Sequence, residues 1–191
     1  VPLRTLSAHV GAGQILLVRG GTSSTGLAAI AVGKELGATV YATTRRASRA
    51  DLLEQQGALA LVDDGDVAAQ VRARHPEGVD AAIELIGTPT LPDTLRATKV
   101  HGTVCFTGML SNEWTVKDFY PIGYLPTGVR LTAYGGDSGH LSTAVLQRFL
   151  DRIASGAVTL GPIRTYALDE IRRAHDDMEH NRTVGKQVVV L

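Results

Sequence analysis

Residues 15–29 read Ile-Leu-Leu-Val-Arg-Gly-Gly-Thr-Ser-Ser-Thr-Gly-Leu-Ala-Ala, and few folds accommodate such a run. Apolar residues of strand character lead into a turn of small residues, and an alanine-rich helical segment leaves it. Small residues at a strand-to-helix turn let an anionic group approach the N–H groups at the helix N-terminus, where the helix dipole also favours negative charge. Against the G-x-G-x-x-G spacing of dinucleotide-binding turns, Gly21 and Gly26 take the outer places and Ser23 the middle one. Serine keeps the turn small and adds a hydroxyl donor, although it hinders backbone approach slightly more than glycine. A Gly/Ser loop that merely turns a corner would use the same residues. The strand before the turn, the helix after it and a second strand behind favour a pyrophosphate-binding turn.

The same alternation continues along the chain. Strands are expected at residues 14–19, 39–43, 59–62, 79–85 and 103–107, with helices at 25–36, 48–56, 66–75 and 90–98 between them. Segments 39–43 and 59–62 are nearly continuous in apolar residues, as strands covered on both faces are. A β-α-β-α rhythm with helices of about ten residues calls for a parallel sheet with right-handed crossovers. The expectation is an α/β, Rossmann-type doubly wound sheet. Beyond residue 110 the rhythm loosens. Residues 111–128 hold Pro121, Pro126 and the rings of Trp114, Phe119, Tyr120 and Tyr124, which suit either a lip over a site or simple core packing. A further strand is expected at 129–134, helices at 141–153 and 168–180, and a closing apolar strand at 187–191.

Composition bounds the class. The 191 residues suit one domain, or one plus part of a second. An apolar fraction of 44% with 20% charged residues is globular and excludes disorder. Nineteen Lys and Arg balance nineteen Asp and Glu, so no overall field draws the chain to nucleic acid or to an acidic membrane. A single cysteine excludes an internal disulfide and a Cys-pair zinc site. No apolar run approaches the ~20 residues of a membrane span, and the expected location is cytoplasmic. Charge is uneven along the chain: residues 1–50 carry six basic and one acidic side chain, residues 51–100 four basic and nine acidic. Three of the basic ones, Arg45, Arg46 and Arg49, follow the second strand, where dinucleotide sites choose their cofactor. An acidic residue there binds the ribose 2′-hydroxyl of NAD, whereas arginine accommodates a 2′-phosphate. With Thr44-Arg45-Arg46 and no carboxylate at that strand end, the expected cofactor is NADP(H). A solvated basic loop is the competing explanation.

Several further strings, in order and spacing, carry a family resemblance over residues 11–191. They include Gly11-Ala12-Gly13-Gln14, the Gly-Gly-Thr-Ser-Ser-Thr-Gly turn, Lys34-Glu35-Leu36-Gly37-Ala38, Leu52-Leu53-Glu54-Gln55-Gln56-Gly57-Ala58 and Gly78-Val79-Asp80-Ala81-Ala82. Leu168-Asp169-Glu170-Ile171, Ala174-His175, Met178-Glu179-His180-Asn181 and Gly185-Lys186 follow. The chain resembles the cofactor-binding half of the medium-chain dehydrogenase/reductase superfamily, and within it the zinc-independent quinone-oxidoreductase-like members. The resemblance implies a GroES-like domain preceding Val1-Pro2-Leu3 in a longer parent, a cofactor-binding core at about 11–135, and a segment 136–191 that contacts the other domain. It implies that Ser23, Ser24, Thr25 and Gly26 lie on the pyrophosphate turn, with Thr44, Arg45 and Arg49 at the 2′-phosphate. Ile86 and Gly87, and Thr107, Gly108, Met109 and Leu110, would border the nicotinamide, with Asn181 and Lys186 approaching the cofactor. It further implies a homodimer through the edge strand 129–134.

Rival chemistries lack their residues. The six histidines are scattered, and only His175 and His180 come close to ligand spacing, on what reads as a helix surface. Cys105 reads as a buried small hydrophobe. No tyrosine has lysine four residues on, as short-chain dehydrogenases require, and neither G-x-S-x-G nor a P-loop ending occurs. Two functions of different class remain: hydride transfer from NADPH to a small electrophile (a quinone, enone or aldehyde), or a non-catalytic NADP-binding sensor or scaffold. No proton donor can be named from these residues.

Overall fold

A computed structural model describes residues 10–136 and 142–191; the expectations for Val1–Leu3 and for the first residue of the 141–153 helix lie outside them. Six parallel strands form the main sheet in the order β3-β2-β1-β4-β5-β6. They are β1 (Ile15–Arg19), β2 (Thr39–Thr44), β3 (Leu59–Val62), β4 (Val79–Glu84), β5 (Thr98–Phe106) and β6 (Arg130–Ala133). Helices α1 (Ser24–Glu35), α2 (Ala50–Gln55, entered by a 3-10 turn at Ala47–Arg49), α3 (Val67–Arg74) and α4 (Leu91–Ala97) make the crossovers. This strand order is that of the dinucleotide-binding doubly wound fold, with its switch point between β1 and β4.

The two-residue period of each strand divides the core into two layers. Leu16 and Val18 of β1 join Val40, Ala42 and Ile83 under Ile30 of α1 and Leu53 of α2. Leu17, Tyr41, Ala82 and Val104 point the other way, onto Val67 and Val71 of α3 and Leu91 and Leu95 of α4. Burial on both faces explains why these strands carry apolar runs rather than strict alternation.

Two departures from the expected elements have local causes. The fifth strand starts at Thr98, where a helix end was expected, and Thr98 pairs with Val79 while Thr103 pairs with Ala81. Residues 99–102 therefore oppose Asp80 alone, an irregularity completed by His101 in the left-handed region at φ 65°. Within 111–128 a single helical turn, α5 (Pro121–Tyr124), forms where Pro121 presets the first helical residue. Phe119 and Tyr124 meet edge to face at 5.1 Å, and Trp114, Phe119 and Tyr120 are all exposed.

The C-terminal region adds α6 (Thr143–Ala154), β7 (Ile163–Ala167), α7 (Ile171–Glu179) and β8 (Lys186–Val190). The strand β7 was not anticipated. It pairs in parallel with β8 as a separate two-stranded sheet, and only Tyr166 of its five residues is buried, so it lacks the apolar signature of the others. The Tyr166 hydroxyl donates to Asp177 Oδ2 at 3.0 Å, fastening α7 to this sheet. The apolar stripe of α6 (Val145, Leu146, Leu150) is exposed, as are Val188 and Val190 of β8.

Candidate functional site

The turn between β1 and α1 stands at the switch point, where ligands of open α/β sheets bind. Gly20 has φ +87°, a conformation that β-carbon-bearing residues avoid, and it reverses the chain out of β1. The Gly20 N–H donates to Thr43 Oγ1 and the Gly21 N–H to the Thr43 carbonyl, both at 3.0 Å, which anchors the turn to β2. Gly26 allows the helix to sit against the turn, because a Cβ there would lie 2.4 Å from the Gly20 carbonyl oxygen. Ser23 is the N-cap of α1: its hydroxyl accepts from the Gly26 N–H at 3.0 Å and donates to the Gly20 carbonyl at 2.9 Å. The hydroxyl expected as a ligand donor is thus engaged within the turn. Ser24 and Thr25 are exposed, and their main-chain N–H groups have no acceptor among the described residues. Two N–H groups at a helix N-terminus face outward, ready for an anion.

Beyond β2, the buried Thr44 hydroxyl accepts from the Arg46 N–H at 3.2 Å and holds the strand end in a tight turn. Arg45 and Arg46 are exposed and Arg49 is half-buried. Burial, followed by the like charges of Arg46 and Arg45, pushes the Arg49 guanidinium below its ordinary value. Arg49 Nη2 donates to the carbonyl of Asn181 at 2.6 Å, across 132 positions of sequence. That carbonyl belongs to a residue at φ 52°, just past α7. The segment continues to Gly185, whose N–H donates to the Thr22 carbonyl at 3.2 Å and which bridges Ser23. Asn181 thus lies against Arg49, and Gly185, next to Lys186, against the glycine turn.

On the other flank, a cavity of about 480 Å³ is lined on its polar side by Ser24, Thr25, Thr107 and Lys186, and on its apolar side by residues such as Leu27 and Phe149. Ile86, Gly87, Gly108, Met109 and Leu110 do not line it. Ile86 instead packs over the turn, where a Cβ on Gly20 would meet its Cδ1 at 3.0 Å. The loops after β4 and β5 are laced together: Thr107 and Gly108 N–H donate to the Glu84 carbonyl, Leu110 to Leu85 and Ser111 to Ile86.

A set of buried charges beneath these loops was not anticipated. Arg19, the last residue of β1, and Glu84, the last of β4, are both fully buried. Arg19 forms a two-pronged pair with Asp63, Nε at 2.7 Å and Nη2 at 2.8 Å, and its Nη1 lies 2.6 Å from Asp93 Oδ2. Charged residues seldom end buried unless paired. The signal in the sequence was the charge that closes the apolar run of each strand, Leu-Leu-Val-Arg and Ala-Ala-Ile-Glu. Among the described residues, no three His, Cys, Asp or Glu side chains converge to hold a metal ion, and Cys105 is buried within β5. No helix among them is long and apolar enough to cross a membrane.

Comparison with known proteins places this geometry. The profile of the family described as zinc-binding dehydrogenase matches residues 24–153. Porcine quinone oxidoreductase is 25% identical over 97% of the chain and 57% of its own length. The (+)-pulegone reductase of Mentha piperita is 25% identical over 94% of the chain and 55% of its own length. Among solved structures, mycobacterial Rv1454c complexed with NADPH superposes with a TM-score of 0.82 at 28% identity, over 95% of this chain and 58% of that one. The NADPH complex of Escherichia coli quinone oxidoreductase has the same fold, with a TM-score of 0.82 at 20% identity, over 95% of this chain and 58% of that one. The chain thus spans little more than half the length of these relatives. With more than half its residues under one family profile, and with the six-stranded order and open helix N-terminus described above, the chain belongs to the zinc-binding dehydrogenase family of the medium-chain dehydrogenase/reductase superfamily.

Proposed function

We propose that this chain binds NADP(H) and is the cofactor-holding part of an oxidoreductase that reduces a small electrophile such as a quinone, an enone or an aldehyde. The observation that carries the reading is the pairing of two unengaged N–H groups at the start of α1 with an arginine cluster, rather than a carboxylate, at the end of β2. In this reading Ser24 and Thr25 bind the pyrophosphate through the backbone, with Gly21 and Gly26 giving access and Ser23 holding the turn closed. Arg45 and Arg49, beside Thr44, take the 2′-phosphate, and Asn181 positions Arg49. Ile86, Gly87, Thr107, Gly108, Met109 and Leu110 flank the nicotinamide, with Lys186 at the polar rim. NADPH, when bound, supplies the hydride, and the protein's part is to orient it and exclude water. Leu27 and Phe149 make the cavity wall that does the excluding. The described residues bring no three His, Cys, Asp or Glu side chains together and so do not fit a zinc ion. The NADPH complexes of related structures, and relatives acting on quinones and pulegone, support it.

The test is turnover. Mixed with NADPH and a panel of quinones, enones and aldehydes, the 191-residue chain should bind cofactor yet consume it far more slowly than the longer porcine quinone oxidoreductase. The chain covers 57% of that relative's length, and in this reading part of the substrate pocket belongs to the remainder. Turnover equal to that relative's, or no cofactor binding at all, would contradict the reading.

A further inference from the structure

We propose that Glu84 is a positioning residue: from a buried site beneath the crevice it sets the loops after β4 and β5 against the nicotinamide end of a bound dinucleotide. The proposal rests on the cofactor reading above and adds a residue to it. Ligands of a doubly wound sheet lie across the carboxyl ends of the strands at the switch point, here β1 and β4, so the first residues after β4 flank the crevice. Glu84 controls those residues through both its side chain and its main chain. Its Oε1 accepts from the Ile86 N–H at 2.7 Å, the Gly87 N–H at 3.1 Å and the Thr90 hydroxyl at 3.0 Å. Its Oε2 accepts from the Thr94 hydroxyl at 2.6 Å. Its carbonyl accepts from Thr107 and Gly108, so one residue ties down the first positions of both loops.

The carboxylate is itself held from behind. Arg19 Nη1 donates to Thr94 Oγ1 at 3.4 Å, so Thr94 relays between guanidinium and carboxylate. Arg19 is locked in turn by Asp63, just past β3, and by Asp93 on α4. Asp93 also accepts from the Val67 and Ala68 N–H groups at the start of α3. Arg19, Glu84, Asp93 and Thr94 at its centre are buried and have partners, the condition under which polar groups rigidify a site rather than weaken it. Burial drives the Glu84 carboxyl above its ordinary range, and the Thr94, Gly87 and Ile86 donors and then Arg19 pull against that. An apolar residue in the same place would fill the space without directing two N–H groups.

Replacing Glu84 should therefore loosen the nicotinamide end and spare the adenosine end, which is built on β2. Calorimetric titration of NADPH and of adenosine 2′,5′-bisphosphate into the wild type and Glu84→Leu, which lacks the acceptor, separates the two ends. The expected result is bisphosphate affinity within about twofold of wild type, with NADPH affinity down about tenfold and its enhanced nicotinamide emission lost. Equal loss of both ligands, or loss of neither in a folded variant, would overturn the proposal. If Glu84→Leu does not fold, Glu84→Ala is read in the same way, and an unchanged affinity ratio overturns the proposal. Wild-type protein that binds the bisphosphate and NADPH leaves the cofactor reading standing whatever Glu84 does. Wild-type protein that binds neither removes both.

Discussion

Asp80 sits where β4 begins and the irregular start of β5 crosses it. Its Oδ2 accepts from the Ile15 N–H at 2.8 Å, and its Oδ1 meets Lys99 Nζ at 2.5 Å and Gln14 Nε2 at 3.4 Å. Burial pulls this carboxyl upward, but Lys99, the Ile15 N–H and Gln14 together outweigh it and hold it below the ordinary aspartate value. A carboxylate with a depressed folded pKa contributes stability that is present above its unfolded value of about 3.9 and is lost as pH falls through the folded value. Asp80→Asn should then cost about 1–2 kcal/mol at neutral pH in urea unfolding, with the gap to wild type closing on acidification below that folded value. A gap that persists undiminished in acid would show that side-chain shape, not charge, holds the three strands. At this scale the sequence was legible where a residue type has one use, as at Gly21 and Gly26. It was not legible for Arg19, because a charge at a strand end reads as solvent-facing until its partners 44 and 74 positions away are known, nor for Glu84, whose donors are main-chain N–H groups and hydroxyls that carry no charge signal.

Among the elements, β6 closes one side of the sheet, and its outer edge is unpaired among the described residues. Natural edges are protected by charge, bulges or a partner, and we propose that a second copy pairs here to form a two-fold dimer. Light scattering at about tens of micromolar should report a dimer, a concentration at which moderate interfaces are populated. Ala133→Lys, on an exposed position of β6, should shift it to monomer with unchanged far-ultraviolet circular dichroism. A monomeric wild type would contradict the pairing. The six sheet strands were readable because five crossings force apolar runs between helical segments. The strand β7 was not, since Ile163-Arg-Thr-Tyr-Ala lies in a two-stranded sheet with one buried position, and so carries neither alternation nor an apolar run. The start of β5 was also hidden, because Thr98 follows α4 directly with no turn residue to mark the change.

For the whole molecule, we propose that the open N-terminus of α1 and the arginine cluster form one site for a dinucleotide bearing a 2′-phosphate. The geometry brings together what the sequence only suggested: the glycine turn, the end of β2 and, through the Arg49–Asn181 contact, the segment before β8. Arg49 has a carbonyl partner in this structure, so a phosphate must compete for it or share it. The site is open to water, and each arginine should contribute about 1 kcal/mol rather than the 1.5–3 of a shielded charge-assisted bond. The direct measurement is calorimetric titration of NADPH and NADH into the wild type and into the Arg45→Ala/Arg49→Ala double variant, at two salt concentrations. NADPH should bind the wild type more tightly than NADH, lose roughly tenfold to a hundredfold in the variant, and weaken with salt, while NADH stays nearly unchanged. Equal wild-type affinity for the two cofactors, or equal loss of both in the variant, would mean that the arginines are a solvated surface and the claim is wrong.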